Sequence, residues 1–169
     1  MDIYVTSMEK AFHIARDYAP STIISIINPQ EDIPVFTPAP ALHRAFAIHD
    51  IPHDRHHLQS ATHSDILELV DCFLEHDYQK PLLIHCLLGS SRSTAAAYIF
   101  LNIQHHGREL EIAQYLRAKI PHAYPNPSMI QHADSILGRD GRMIKAIESL
   151  PVVDLQTLGE IGKLSTNFT

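Results

Sequence analysis

The feature that most constrains the fold is a helical segment that is apolar on nearly every side. The pattern predicts a helix over residues 93–106, and all residues from 95 to 101 are apolar or aromatic. A helix of this kind has no face to give to water, so other elements must surround it. We therefore expect it to lie in the middle of the domain.

Segments typical of strands alternate with segments typical of helices along the rest of the chain. Short apolar, partly β-branched runs predict strands over residues 3–6, 22–27, 44–49 and 81–85. Helical spacing predicts helices over residues 7–17, 64–75, 109–120, 127–137 and 141–150. This alternation predicts an α/β fold: a single domain with a central, mostly parallel sheet of four to five strands flanked by helices. We assign residues 1–150 to this domain and leave 151–169 as a tail with no predicted element.

Composition excludes several classes of protein. The 169 residues suit one domain, and the net charge of −6, with no basic run, does not favour binding to nucleic acid or to an anionic membrane. The N-terminus lacks the basic and apolar segments of a signal peptide. The longest strongly apolar run, residues 94–103, is far too short to span a membrane. We expect a cytoplasmic protein with neither a nucleic-acid nor a membrane partner.

The metal-ligating residue types do not form a recognisable site. The two cysteines, Cys72 and Cys86, are too few for a disulfide framework, and Cys72 falls on the apolar side of a predicted helix, where packing is its expected role. Five of the 13 histidines lie close together in sequence: His49, His53, His56, His57 and His63. Imidazole binds transition metals, but these histidines fall mainly in a polar loop. We expect no metal and no cofactor.

The segment that carries chemistry joins the strand at 81–85 to the central helix. Residues 83–93 read Leu-Ile-His-Cys-Leu-Leu-Gly-Ser-Ser-Arg-Ser. In such a turn the backbone N–H groups converge on one point and the helix adds its positive N-terminal end, which together favour a tetrahedral anion. Gly89, Ser90 and Ser91 are small enough to let the loop close around the anion, and Arg92 can bind two phosphate oxygens at once.

The same positive field favours the thiolate of Cys86, which makes this residue a candidate nucleophile near neutral pH. The hydroxyl of Ser93 could donate a hydrogen bond to the thiolate and ease its departure from a phosphocysteine. Leu87 and Leu88 complete the loop and add no positive charge, which suits a phosphate monoester. A buried packing cysteine is the alternative, but it leaves the glycine, arginine and serine at these offsets unexplained.

The sequence His85-Cys86-x5-Arg92-Ser93 resembles the signature of the cysteine-dependent protein tyrosine phosphatases. The chain length and the position of the cysteine are similar to the compact, dual-specificity-type branch, including its small bacterial members. The resemblance implies hydrolysis of phosphotyrosine, or of phosphoserine and phosphothreonine if the pocket is shallow, through a phosphocysteine. It also implies a phosphorylated protein or peptide as substrate, and phosphate, sulfate or vanadate as anions that occupy the site.

The resemblance extends to supporting residues. His85 is expected to lie buried beneath the loop and to orient it. Asn126 follows Pro125, as in that branch, and is expected to brace the loop, although a helix N-cap explains it equally well. Some members of the superfamily protect the oxidised nucleophile with a second cysteine, which is an alternative role for Cys72.

Two aspartates compete for the role of general acid. Asp50 follows directly after the predicted third strand, as the acid of the similar branch often does, and we favour it. Asp54 stands 32 residues before Cys86, a separation that the same branch also allows. The aspartate that is not the acid is expected to serve in a turn.

Two hypotheses from other functional classes remain open at this point. One is a catalytically silent phosphopeptide-binding module, and the other is a thiol protein or sulfurtransferase that uses Cys86 without phosphate chemistry. A silent module would ordinarily lack the cysteine or the arginine, and this sequence has both.

Overall fold

The β-branched and apolar runs pair into one five-stranded sheet. In the computed structural model, which describes residues 1–153 and 155–168, the strands are β1 (Asp2–Ser7), β2 (Thr22–Ile27), β3 (Leu42–Ala47), β4 (Leu82–Cys86) and β5 (Gly162–Ser165). Their order is β3-β2-β4-β1-β5. The first four are mutually parallel, and β5 pairs antiparallel with β1. This confirms the predicted α/β class and its mostly parallel sheet.

Helices cover both faces of the sheet. They are α1 (Met8–Tyr18), α2 (His63–Leu74), α3 (Arg92–Gln104), α4 (Glu109–Lys119), α5 (Pro127–Ile136) and α6 (Arg142–Glu148). The apolar face of α1 packs with Phe36 against one side of the sheet, in a small core that includes Tyr4, Ile23 and Leu83. The other five helices lie on the opposite side, over the main core. In the described part of the chain, no helix is long and apolar enough to cross a membrane.

The central position expected for α3 is confirmed. Every residue of this helix from Arg92 to Asn102 is buried. Its aromatic residues meet neighbouring elements on both sides: Phe100 packs edge-on against Phe73 of α2, and the Tyr98 hydroxyl donates a hydrogen bond to the Glu109 carbonyl in α4. The helix that begins with Arg92 is therefore fixed along its whole length, and so is the loop that precedes it.

The segment without a predicted element contributes the edge strand β5. Within this strand Gly162 and Leu164 are buried while Lys163 is exposed, so the alternation is regular but covers only four residues. A pattern this short gives no usable periodicity in the sequence. Residues 155–157 form a single turn of 3₁₀-helix before it. The third strand also begins two residues earlier than predicted, at Leu42 rather than residue 44.

Parallel pairing brings four loops to one edge of the sheet. Strand β4 lies between β1 and β2, with Ser7 opposite Cys86 on one side and Ser25 opposite His85 on the other. The segments that follow β1, β2, β3 and β4 therefore all leave the sheet at its carboxyl edge. Open α/β sheets bind ligands at this edge, where the strand order reverses.

Candidate active site

The turn between β4 and α3, which we call the anion loop (residues 86–92), is pressed against the end of β1. Gly89 has φ +79°, and a Cβ at this position would lie 2.7 Å from the Ser7 nitrogen and 2.7 Å from the Thr6 carbonyl carbon. The backbone N–H of Met8, the first residue of α1, donates to the Leu87 carbonyl at 3.3 Å. The path of the loop thus requires glycine here, both for its backbone conformation and for the close approach of β1.

Cys86 ends β4 and lies at the floor of the anion loop, 1% exposed. Its Sγ accepts a hydrogen bond from the Gly89 backbone N–H at 3.3 Å and lies 3.3 Å from Ser93 Oγ. Hydrogen bonds from both groups would stabilise a thiolate more than a thiol. The sequence prediction that Ser93 reaches the cysteine agrees with this geometry.

Arg92 is the largest fully buried side chain of the described residues, at 2% exposure. Its Nη1 donates to the Ile48 carbonyl at 2.8 Å and to Asn28 Oδ1 at 3.0 Å. Within the described residues its Nε makes no hydrogen bond, although Asp50 Oδ2 lies 3.7 Å away. A buried guanidinium N–H without an acceptor is costly, and this N–H remains available to a further acceptor.

A pair of residues that sequence analysis missed holds this arginine. Glu31 accepts hydrogen bonds from the backbone N–H and the Nδ2 of Asn28, at 2.9 and 2.7 Å. With its amide group fixed in this way, Asn28 presents its oxygen to Arg92. The signal was an Asn-x-x-Glu sequence directly after a buried strand, in a proline-rich stretch that looks like an ordinary loop.

Asp50 is the carboxylate that the fold brings to the anion loop. Its Oδ1 accepts hydrogen bonds from Ser91 Oγ at 2.6 Å and from Asn126 Nδ2 at 3.0 Å, and its side chain is 37% exposed. Asn126 combines both roles considered for it. Its Oδ1 caps α5 at the Met129 N–H, while its own backbone N–H donates to the Ser91 carbonyl.

Asp54 lies in a different environment. Its Oδ1 accepts hydrogen bonds from both the backbone N–H and the hydroxyl of Ser60, each at 2.7 Å. These bonds lower the pKa of Asp54 and fix it within its own exposed turn. Asp54 is not among the residues that line the cleft above the anion loop.

That cleft has a volume of roughly 580 Å³ and is mixed in character. Leu87 and Leu88 are half-exposed on its wall, and Ser90, on the other side of the loop, is anchored by a hydrogen bond from the Tyr124 N–H to its carbonyl. The cleft is lined by Asn28, Gln30, Glu31, His49, Asp50, Ile51, Leu58, Leu87, Leu88 and Arg92. A larger, mainly apolar groove of roughly 790 Å³ runs between α5, α6 and residues 150–153, but it contains no candidate nucleophile.

His85 is completely buried beneath the anion loop, as expected. Its Nε2 lies 2.7 Å from the hydroxyl of Ser25 in β2. Burial is the main cause that lowers the pKa of His85 to about 4, so the ring is neutral at pH 7. Its side chain therefore supports the loop as a neutral hydrogen-bonding group and not as a charge.

The remaining candidates from the sequence do not assemble into a second site. No group of three or more His, Cys, Asp or Glu side chains in residues 1–153 and 155–168 is arranged to hold a metal ion. Of the clustered histidines, His49 lines the cleft and contacts the backbone of Gln59. Cys72 is buried in the main core, and burial raises the pKa of its thiol to about 11, as expected of a packing residue.

Comparison with solved structures identifies the fold. DUSP15 superposes with a TM-score of 0.61 at 17% identity, covering 88% of this chain and 92% of that chain. The Yvh1 phosphatase domain from Chaetomium thermophilum matches with a TM-score of 0.61 at 17% identity, covering 83% and 93%. The chain has the fold of these phosphatases. PTPMT1, solved in complex with PI(5)P, shares this phosphatase fold with a TM-score of 0.60 at 13% identity, covering 85% and 94%.

No protein-family model and no curated protein sequence matches the chain. The fold is therefore shared with proteins of low sequence identity, 13–17% for the three named above. The neighbours named above are dual-specificity and related phosphatases, and they agree with the fold that the His-Cys-x5-Arg-Ser resemblance implied.

Replacement of Gly89 by alanine tests the packing of the anion loop. We expect Gly89→Ala to lower the free energy of unfolding by about 2–4 kcal/mol, because the new Cβ meets the backbone of β1 and φ is positive. Vanadate binding should weaken by at least about 10-fold, since the N–H groups of the loop must move. Urea unfolding and isothermal titration with vanadate measure both effects.

Gly138→Ala is the matched control. Gly138 also has positive φ, but among the described residues no atom beyond its own neighbours in the chain lies within 4 Å of the position of a Cβ. We expect it to cost about 1 kcal/mol and to leave vanadate binding unchanged. Equal losses in the two variants would contradict a specific contact between the anion loop and β1.

Proposed function

We propose that this protein hydrolyses phosphate monoesters, with phosphotyrosine in proteins or peptides as the leading substrate class. The observation that carries the proposal is the convergence of Cys86, Arg92 and Asp50 on one loop at the carboxyl edge of the sheet. Cys86 Sγ has two potential hydrogen-bond donors, Arg92 is buried and held by neutral acceptors, and Asp50 is hydrogen-bonded across the loop. The phosphatase fold of the chain supports the same conclusion.

In the first step, the phosphate group occupies the anion loop, where the backbone N–H groups of residues 87–91 and the guanidinium of Arg92 bind its oxygens. The Cys86 thiolate attacks phosphorus, so that an S–P bond forms while the bond to the leaving oxygen breaks. Asp50 donates its proton to that oxygen. Arg92 stabilises the charge on the phosphoryl group as it transfers, because its planar group can bind two oxygens at once.

In the second step, the carboxylate of Asp50 accepts a proton from a water molecule, which attacks the phosphocysteine. The S–P bond breaks, phosphate leaves, and the Ser93 hydroxyl stabilises the departing thiolate by a hydrogen bond. Ser91 and Asn126 support both steps, because they hold the Asp50 carboxyl group at the rim of the loop. His85 acts from below as a support of the loop.

The cleft favours a substrate with one phosphate group. A second phosphate group would need a second cation at the rim of the cleft. Leu87 and Leu88 lie there instead, and Glu31 adds negative charge to the lining. The net charge of −6 also disfavours a substrate that carries several phosphate groups. We therefore propose a phosphorylated protein or peptide in preference to a polyphosphorylated lipid, and phosphoserine or phosphothreonine as the second substrate class.

Replacement of the nucleophile separates catalysis from binding. Cys86→Ser should abolish turnover of para-nitrophenyl phosphate while vanadate or phosphate still binds, because the N–H groups and Arg92 remain in place. Steady-state rates and a binding titration on the same preparation provide the measurement. Binding without turnover in the wild-type protein would instead indicate a silent binding module. Activity of the serine variant near the wild-type rate would contradict a phosphocysteine mechanism.

Replacement of the buried cation tests its geometry. We expect Arg92→Lys to lower kcat by about 10²–10³-fold, since an ammonium group is a point charge and cannot bind two phosphate oxygens in one plane. The carbonyl of Ile48 and the amide of Asn28 still accept its protons, so folding should be retained. Circular dichroism checks folding and steady-state kinetics give kcat. A normal kcat would mean that Arg92 does not clamp the phosphoryl group.

Replacement of the two aspartates identifies the acid. Asp50→Asn should lower kcat on a phosphotyrosine peptide by about 10²–10⁴-fold, and by less on an activated aryl phosphate whose leaving oxygen needs little protonation. It should also flatten the alkaline limb of the pH profile of kcat/KM. Asp54→Asn is the matched control, because the contacts of Asp54 in the described part of the chain lie within its own turn, and it should leave turnover of both substrates nearly unaffected. The reverse pattern would assign the acid to Asp54.

A further inference from the structure

A chain of three polar side chains crosses the sheet on the side away from Cys86. Ser25 of β2 is at its centre, with its Oγ 2.7 Å from His85 Nε2 in β4 and 2.7 Å from His43 Nε2 in β3. Ser25 and His85 are completely buried, whereas His43, nearer the edge of the sheet, is half-buried. The ring of Phe36 packs edge-on against both imidazoles and shields them from water. Sequence analysis singled out His85 alone.

The single proton of the Ser25 hydroxyl couples the two rings. Burial lowers the pKa of His43 and of His85, so each ring is neutral at pH 7, with one donor and one acceptor nitrogen. His43 and Arg92 lower the pKa of His85 further, and the backbone of Cys86 raises it. Since Ser25 has one proton to donate, it donates to one imidazole and accepts from the other, so the tautomer of one ring sets that of the other.

Ser25 is the group that holds the His85 ring in place. Within the described residues His85 Nδ1 has no hydrogen-bond partner, so the hydrogen bond between Nε2 and Ser25 Oγ is the one that orients the ring. His85 directly precedes Cys86 in β4, so the orientation of its ring bears on the backbone from which the anion loop begins.

We propose that His43 is a positioning residue for the nucleophile: its hydrogen bond orients the Ser25 hydroxyl, which fixes the tautomer and orientation of His85 and thereby the backbone of Cys86. The proposal deepens the proposed function and rests on it, because it assigns His43 to the machinery that prepares Cys86 for attack. His43 does not touch the substrate. It acts through two side chains across three neighbouring strands.

The test compares His43→Phe, which keeps a ring beside Phe36 but removes the hydrogen bond to Ser25, with His43→Gln, whose side-chain amide can still form a hydrogen bond with Ser25. His76→Phe is the matched control. His76 is also buried and hydrogen-bonded to a β2 hydroxyl, that of Thr22, but at the opposite end of the strand. Two measurements are made on the full chain: kcat and KM on para-nitrophenyl phosphate, and the pH midpoint of Cys86 alkylation by iodoacetamide, with peptide mass spectrometry to separate Cys86 from Cys72.

We expect His43→Phe to lower kcat by about 5- to 10-fold, the effect of one lost buried hydrogen bond, with KM nearly unchanged. The midpoint of Cys86 alkylation should move upward by about half a pH unit. His43→Gln should restore most of both, and His76→Phe should lower stability without changing either. If His43→Phe behaves like the His76 control, or if glutamine gives no rescue, the proposal is overturned.

Two further measurements test the proposal if His43→Phe does not fold or if the wild-type protein has no phosphatase activity. Should His43→Phe fail to fold, Ser25→Ala interrupts the same chain without altering His43, and the same shift in alkylation is expected; an unchanged midpoint overturns the proposal. Alkylation of Cys86 requires no turnover. A wild-type protein that hydrolyses nothing would therefore refute the proposed function, while the alkylation midpoints would still decide whether His43 acts on Cys86.

Discussion

The candidate site depends on the parallel pairing of β4 with both of its neighbours. Since β1, β2, β3 and β4 all run in the same direction, the segments that follow them leave the sheet at one edge. The ends of β1 and β4 supply the backbone that contacts Gly89 and the thiol of Cys86, and the segments after β2 and β3 supply the amide that holds Arg92 and the carboxylate of Asp50. No one segment carries the chemistry. If one of these strands ran in the opposite direction, the residues that follow it would lie at the opposite edge of the sheet.

A single buried cation gives this edge its electrostatic character. The guanidinium of Arg92 is held by a main-chain carbonyl and by a neutral amide, so most of its charge is not cancelled by an adjacent carboxylate. Asp50 is the nearest acid, and at 3.7 Å from Nε it is close but not directly hydrogen-bonded. Glu31 reaches Arg92 only through Asn28. This arrangement fixes the arginine in place without pairing its charge directly with a carboxylate.

The features that could be predicted from the sequence are those whose signals lie within a short stretch of the chain. The anion loop and α3 were predictable because Gly89, Arg92 and the apolar run at 95–101 follow one another within 13 residues of sequence. The choice between Asp50 and Asp54 rested on position alone, and the contacts of Ser91 and Asn126 with Asp50 are separated from it by 41 and 76 residues, beyond any local pattern. Asn28 and Glu31 were missed because four prolines made their segment look like an ordinary loop. Strand β5 was missed because its pairing with β1 joins the two ends of the chain.

The buried histidines also determine how the protein responds to acid. His43, His76, His85 and His122 are all held neutral, because burial is the first cause that lowers the pKa of each. The unfolded chain binds protons at these rings near pH 6.5, while folded His85 does so only near pH 4, so the free energy of unfolding falls as the pH drops through this window. For His85 the loss is on the order of 3 kcal/mol, a large part of the total stability of an average domain. The histidine that lies beneath the anion loop is thus also a weak point of the fold, so acidification below pH 6.5 should favour unfolding.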